Sequence, residues 1–156
     1  MLNENKNLYK DKLLQHFKQP KNKHSAPFDA HMLTARGSNP RCGDDIELGV
    51  SLAHINGIKH IEHVGFRGRA CSICIASASM MTEVVSNLTC QEALKLANTM
   101  QAWIKDTSID ERHIPELLQP LLAVRGHPAR HKCVLLAWNA LASALSIDAP
   151  KLTTAE

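Results

Sequence analysis

Residues 46–66 read IELGVSLAHINGIKHIEHVGF, and this stretch decides the fold. Ile46, Leu48, Val50 and Leu52 alternate with Glu47, Gly49 and Ser51, the period of a half-buried strand whose side chains point to its two faces in turn. Asn56-Gly57 then supplies a hairpin signal, because both residues tolerate the positive φ that a tight two-residue turn needs. Ile58 to Phe66 is expected to be the returning strand. A further strand is placed near His31 to Ala35, ahead of Ser38-Asn39-Pro40.

Outward from this hairpin the period changes to that of helices. Tyr9, Leu13 and Phe17, with Leu8 and Leu14 beside them, recur at helical spacing among Lys, Asp and Gln, which predicts an amphipathic helix ending near Pro20. Cys71 to Val85 is rich in Ala, Ser and Met and contains no Gly or Pro, so it predicts a helix that other elements can approach closely. Thr89-Cys90-Gln91-Glu92 has the capping-box form, opening a helix expected to reach about Lys105. Ile114 to Val124 gives a shorter helical stretch interrupted by Pro115 and Pro120. The last helix is expected from about Pro128 to Leu145, with proline in the first turn, where its missing donor would be unpaired anyway. Strands first and helices afterwards predict an α+β arrangement, a small antiparallel β-sheet of about three strands packed against several α-helices.

A chain of 156 residues that is 44% hydrophobic can bury one ordinary core, so residues 1–156 are expected to form a single domain. The formal charge is +3, but Lys and Arg are interspersed with Asp and Glu and few aromatics are available for stacking, which argues against nucleic acid as a partner. Met1 to Lys6 has no apolar core of a signal peptide, and no apolar run approaches the roughly 20 residues needed to cross a bilayer, so a cytoplasmic chain without a membrane partner is expected. Five cysteines in a reducing compartment, an odd number, argue for metal ligation or thiol chemistry over a disulfide framework.

Cys42-Gly43-Asp44 lies just before the first strong strand, Cys71 at a strand-to-helix junction and Cys133 in the first turns of the last helix. Thiolate sulfur and carboxylate oxygen both suit zinc, and three cysteines with one aspartate would complete a tetrahedron. Gly43 lets the backbone turn so that its neighbours can face one ion. The spacing leaves two readings open, a metal site and isolated buried thiols, because dispersed ligands carry less signal than paired CxxC knuckles.

Four blocks, NPRCGD at 39–44, GRACSI at 68–73, ASASMMT at 76–82 and PARHKC at 128–133, resemble the IscU/SufU group of iron–sulfur cluster assembly proteins, with NifU-like N-terminal members. Leu8-Tyr9 and Pro20-Lys21-Asn22 match as well, so the resemblance covers nearly the whole chain. The IscU type has histidine immediately before its last cysteine and a Leu-Pro-Pro-Val-Lys chaperone motif nearby. Here Lys132 precedes Cys133, that motif is missing and a longer segment separates Cys71 from Cys133, which favours the SufU branch. The resemblance implies a SufE/NifU-like fold and zinc on Cys42, Asp44, Cys71 and Cys133. It also implies a sulfurtransferase role in which Cys42 takes sulfane sulfur from a SufS-type cysteine desulfurase for a SufBCD-type scaffold. The alternative within the group is a scaffold that itself assembles and transfers a cluster, with iron or an iron–sulfur cluster on Cys42, Cys71 and Cys133.

Arg130, three residues before Cys133 on the same helical face, joins Cys42 as a candidate for the reactive site, where it would pair with Asp44 or steady a thiolate. Cys74 is read as a small helix residue, since SufU proteins usually have serine there, and Cys90 as structural. His127 and His131 could bind zinc but rank below the cysteine–aspartate set. The other histidines are expected to be ordinary exposed residues. Ile73 and Met80 belong either to a partner surface or to the core.

Overall fold

A computed structural model of the chain describes residues 2–147, with side chains from 7 to 146. Side chains of the Met1 to Lys6 stretch, and residues 148–156 of the expected domain, lie outside the described residues. Helix α1 (Leu2–Lys18) leads into strands β1 (Leu33–Asn39), β2 (Asp44–Ile55) and β3 (Ile58–Arg69). Helices α2 (Ser72–Val85), α3 (Cys90–Lys105), α4 (Leu122–Arg125) and α5 (His131–Ile147) follow. The three strands form an antiparallel meander in the order β1-β2-β3, giving the expected α+β architecture.

Asn56 and Gly57 both take positive φ, 54° and 79°, and close the β2–β3 hairpin as their residue types require. On one face Ile46, Leu48 and Val50 of β2 and Ile61, Val64 and Phe66 of β3 are buried to 1% exposure or less. A register shift between Ser51 and Leu52 interrupts the simple alternation beyond Val50. The first strand runs further than its sequence suggests, to Asn39, because it is held by pairing with β2 from Leu33↔Val50 to Asn39↔Asp44. Its own residues, Leu-Thr-Ala-Arg-Gly-Ser-Asn, carry little alternation, so only the partner strand could reveal its length.

Helix α2 packs between α1 and α5, and buries nine of its residues, among them Met80 and Met81, which settles Met80 as core. Buried hydroxyls on this helix are all satisfied. Ser77 Oγ donates to the Val134 carbonyl of α5 at 2.7 Å. Ser79 Oγ accepts the Lys21 amide at 2.8 Å and meets His16 Nδ1 at 2.7 Å, while Thr82 Oγ1 accepts Asn22 Nδ2 at 3.0 Å. Leaving any of these groups unpaired would cost about 1–3 kcal/mol. Of the apolar stripe on α1 only Leu13 is buried; Leu8, Leu14 and Phe17 remain exposed, because α1 packs chiefly on α2 and the 3₁₀ segment Glu116–Leu121.

The stretch Ile114 to Val124 is helical and interrupted, as its prolines suggest: Pro115 stands just before the 3₁₀ segment Glu116–Leu121, Pro120 lies inside it, and the four-residue α4 follows. One further expectation is corrected. The histidines are not uniformly exposed: His16 is largely buried against α2. In the loop before β1, His24 lies on Gly65 of the outer sheet face, with its Nε2 3.4 Å from that of His63. Among the described residues no helix is long and apolar enough to cross a membrane.

Burial holds His16 below the usual histidine pKa, with Glu83 opposing the shift and Lys21 and Lys12 reinforcing it. The unfolded chain therefore binds the proton more readily, and this contribution to stability is lost as pH falls below about 6.5. Urea unfolding should show stability decreasing from about pH 7.5 to 5.5, with a smaller decrease in His16→Gln. Thr89→Ala removes half of a capping box whose two hydrogen bonds are both formed, and should lower the unfolding free energy by about 1 kcal/mol.

Candidate metal and sulfur site

Three distant segments converge at one end of the sheet. The β1–β2 loop turns through Asn39-Pro40-Arg41-Cys42-Gly43, with the Cys42 amide donating to the Asn39 carbonyl at 3.1 Å and the Gly43 amide to that of Pro40 at 3.3 Å. Gly43 has φ of 70°, where a side chain would be strained. This turn leaves the Cys42 thiol partly exposed and points Asp44, the first residue of β2, inward to 1% exposure. Cys71 lies two residues past the end of β3 and caps α2 with extended backbone. Its own amide donates to Asp44 Oδ1 at 2.7 Å, which fixes the carboxylate against the start of the helix. Cys133, in the first turn of α5, is fully buried.

The ligand atoms of Cys42, Asp44 and Cys133 all lie within 4.8 Å of one another. The Cys133 and Cys42 sulfurs are 3.4 Å apart. Cys71 stands at the edge of this trio, its Sγ 3.8 Å from Asp44 Oδ2. Arg130 Nη2 donates to that same Cys71 sulfur at 3.2 Å, so of the two partners the sequence offered, the thiol is the one it meets. Asn39, buried at the end of β1, directs its Nδ2 at Cys133 Sγ, 3.9 Å away. The sequence alone gives Asn39 no role; a buried amide between a strand end and proline is visible only once the strand is placed. His131 Nε2 is engaged by the Arg125 carbonyl at 2.7 Å and His127 is exposed, and neither is among the converging donors.

The donor chemistry fits a divalent ion. Around a tetrahedral zinc with Zn–S near ~2.3 Å, sulfurs lie about 3.8 Å apart, close to the spacing seen here. Burial pushes the Cys133 thiol far above its usual pKa, with the Cys42 and Cys71 hydrogen bonds, the Cys71 charge and Asp44 acting the same way. Cys74 is pushed up chiefly by burial and then by the charges of Asp44, Cys71 and Cys42. Without added positive charge the buried thiols therefore hold their protons, and Arg130 reaches only the Cys71 sulfur. A doubly charged cation would supply the missing complement. Cys74 lies fully buried one turn beyond Cys71 and outside the converging donors, whereas Cys90 is half-buried at the start of α3.

The chain is 36% identical over 138 residues to the zinc-dependent sulfurtransferase SufU of Bacillus subtilis (strain 168), covering 86% of each protein. It is 36% identical over 118 residues to the iron–sulfur cluster assembly scaffold protein IscU of Streptococcus pyogenes serotype M1, covering 74% of this chain and 72% of that one. A crystal structure described as an iron–sulfur cluster assembly scaffold protein for the SUF system from Fervidobacterium islandicum AW-1 superposes with a TM-score of 0.69 at 29% identity, covering 86% of this chain and 94% of that chain. The N-terminal part of a NifU-like protein from Brucella abortus shares the fold, with a TM-score of 0.70 at 20% identity over 90% of this chain and 96% of that one. The NifU-like N terminal domain model matches residues 8–149, and the chain belongs to that family.

Proposed function

We propose that this chain serves iron–sulfur cluster assembly as a zinc-dependent sulfur acceptor, taking sulfane sulfur on Cys42 from a cysteine desulfurase. The observation that carries this reading is the contrast within the trio: Cys42 is partly exposed on a turn, while Asp44 and Cys133 are buried behind it. One thiol can meet a macromolecular donor while its neighbours stay fixed. The zinc-dependent sulfurtransferase among the relatives, matched over 86% of both chains, supports the same role. We assign Cys42, Asp44, Cys71 and Cys133 as the zinc ligands and residues 1–156 as one functional unit. The donor we assign is a SufS-type desulfurase and the onward recipient a SufBCD-type scaffold, in the cytoplasm, where five free cysteines stay reduced.

Bound zinc would keep the ligating thiols ionised near neutral pH. The transfer itself is an exchange between sulfurs. Cys42 Sγ, as thiolate, attacks the terminal sulfur of the donor's persulfide. A new S–S bond forms on Cys42, the donor's S–S bond breaks, and the donor cysteine leaves as thiolate, so no outside oxidant or reductant is needed. Asp44 stays anchored by the Cys71 amide throughout. Arg130 compensates charge on the Cys71 sulfur, which keeps that second thiol in place while Cys42 moves.

Desulfurase turnover, followed as alanine release, should rise on adding the zinc-loaded chain, and Cys42→Ala should abolish the rise. No stimulation by the wild type, together with a visible chromophore on anaerobic addition of iron and sulfide, would assign the scaffold role instead. Asp44→Ala should weaken zinc at least about 100-fold in chelator competition, as loss of a direct ligand exceeds the usual effect of removing an outer partner. Cys74→Ser should leave zinc affinity unchanged.

A further inference from the structure

Charge around the site is unevenly paired. Asp45 and Glu47, the carboxylates that flank it on the sheet surface, are already engaged, Asp45 by Arg36 at 3.0 Å and Glu47 by Arg67 at 2.9 Å, and Asp44 is buried. Three further cations remain exposed. Arg41 shares the turn with Cys42, Arg69 lines one shallow recess with Gly43, and Lys132 precedes Cys133 at the start of α5. Among the described residues no carboxylate lies within ion-pair distance of any of the three. Arg130 already serves the Cys71 sulfur.

We propose that Arg41, Arg69 and Lys132 form a cationic rim that docks an acidic surface of the protein that donates sulfur to Cys42. The proposal rests on the sulfur-acceptor reading and adds how the donor is recognised. Exposed, unpaired like charges near a reactive group repel one another, and they attract an oppositely charged partner over about a Debye length. Steering of this kind typically raises association rates by about 10- to 1,000-fold at low salt. Cations that merely balanced the site would contact its atoms as Arg130 does; these three make no such contact among the described residues.

The test uses the zinc-loaded full chain and two sulfur donors, the cysteine desulfurase of the same organism with L-cysteine, and an uncharged low-molecular-weight persulfide. With the desulfurase, Arg41→Glu/Arg69→Glu/Lys132→Glu should raise KM for the donor protein at least about tenfold with little change in kcat, and added salt should raise the wild-type KM. Arg41→Lys/Arg69→Lys should restore the wild-type KM, because charge and not guanidinium geometry is at work. Poly-L-glutamate should compete with the desulfurase and not with the small persulfide, which should react equally with wild type and variant. Zinc content and thermal unfolding of each variant establish that the fold is retained. Transfer from the desulfurase that is indifferent to salt and to the triple reversal would overturn the rim while leaving the sulfur acceptor standing. Equal loss with both donors would make the cations part of the site's own charge balance and also overturn it. Absence of Cys42-dependent transfer from either donor would remove both proposals together, and retention of the wild type on RNA at comparable affinity would assign the rim to nucleic acid.

Discussion

The hydrogen bond from the Cys71 amide to Asp44 Oδ1 is the joint on which the rest of this molecule turns. It ties the first residue of β2 to the first turn of α2, two points separated by the whole β2–β3 hairpin. A buried carboxylate needs compensation, and here part of it comes from the amide-rich, partially positive start of a helix. The same bond sets where Cys71 stands and fixes which Asp44 oxygen is left facing the sulfurs. Geometry that would be soft in a loop becomes definite because a strand and a helix end at it.

The helix so anchored is held along its length by polar contacts that a purely apolar core would lack. Ser77 reaches α5 and Ser79 and Thr82 reach the segment after α1, so α2 is keyed in register to both neighbours. Met80, Met81 and the alanines fill the space between those fixed points. Satisfied buried networks of this kind favour one arrangement over near-alternatives, and a site assembled from three segments depends on that uniqueness. The placement of Cys133 follows: it rides on α5, whose next residue, Val134, accepts the Ser77 hydroxyl.

Local chemistry made part of this legible in the sequence. Asn56-Gly57 and the alternation around Ile46 to Leu52 define the hairpin because each acts over a few residues, and Thr89 with Glu92 defines a helix start for the same reason. The extent of β1 was hidden, since its polar residues gain their conformation from β2 alone. Met80 could be told from a surface residue only after α2 was known to be covered on several sides. In the site, the blocks around Cys42, Cys71 and Cys133 mark three segments that the fold brings together, while the partner of Arg130 and the approach of Asn39 to Cys133 depend on distances across 59 and 94 positions of chain. His24 and His63 carry no signal in the sequence, because nothing in their neighbours announces that the loop before β1 folds over the sheet.

The two ends of the β2–β3 hairpin live under unequal demands. Twelve residues of β2 at about 3.3 Å each put the Asn56-Gly57 tip roughly 35 Å from the converging thiols. Ile55 and Ile58 flank that tip and are more than half exposed, and neither supports the donors. Change there is cheap for the fold, whereas change at the other end must preserve a turn, a cap and a buried carboxylate at once. Over evolutionary time the hairpin can therefore lengthen, shorten or acquire a new recognition surface at its tip while the chemistry at its base is inherited intact.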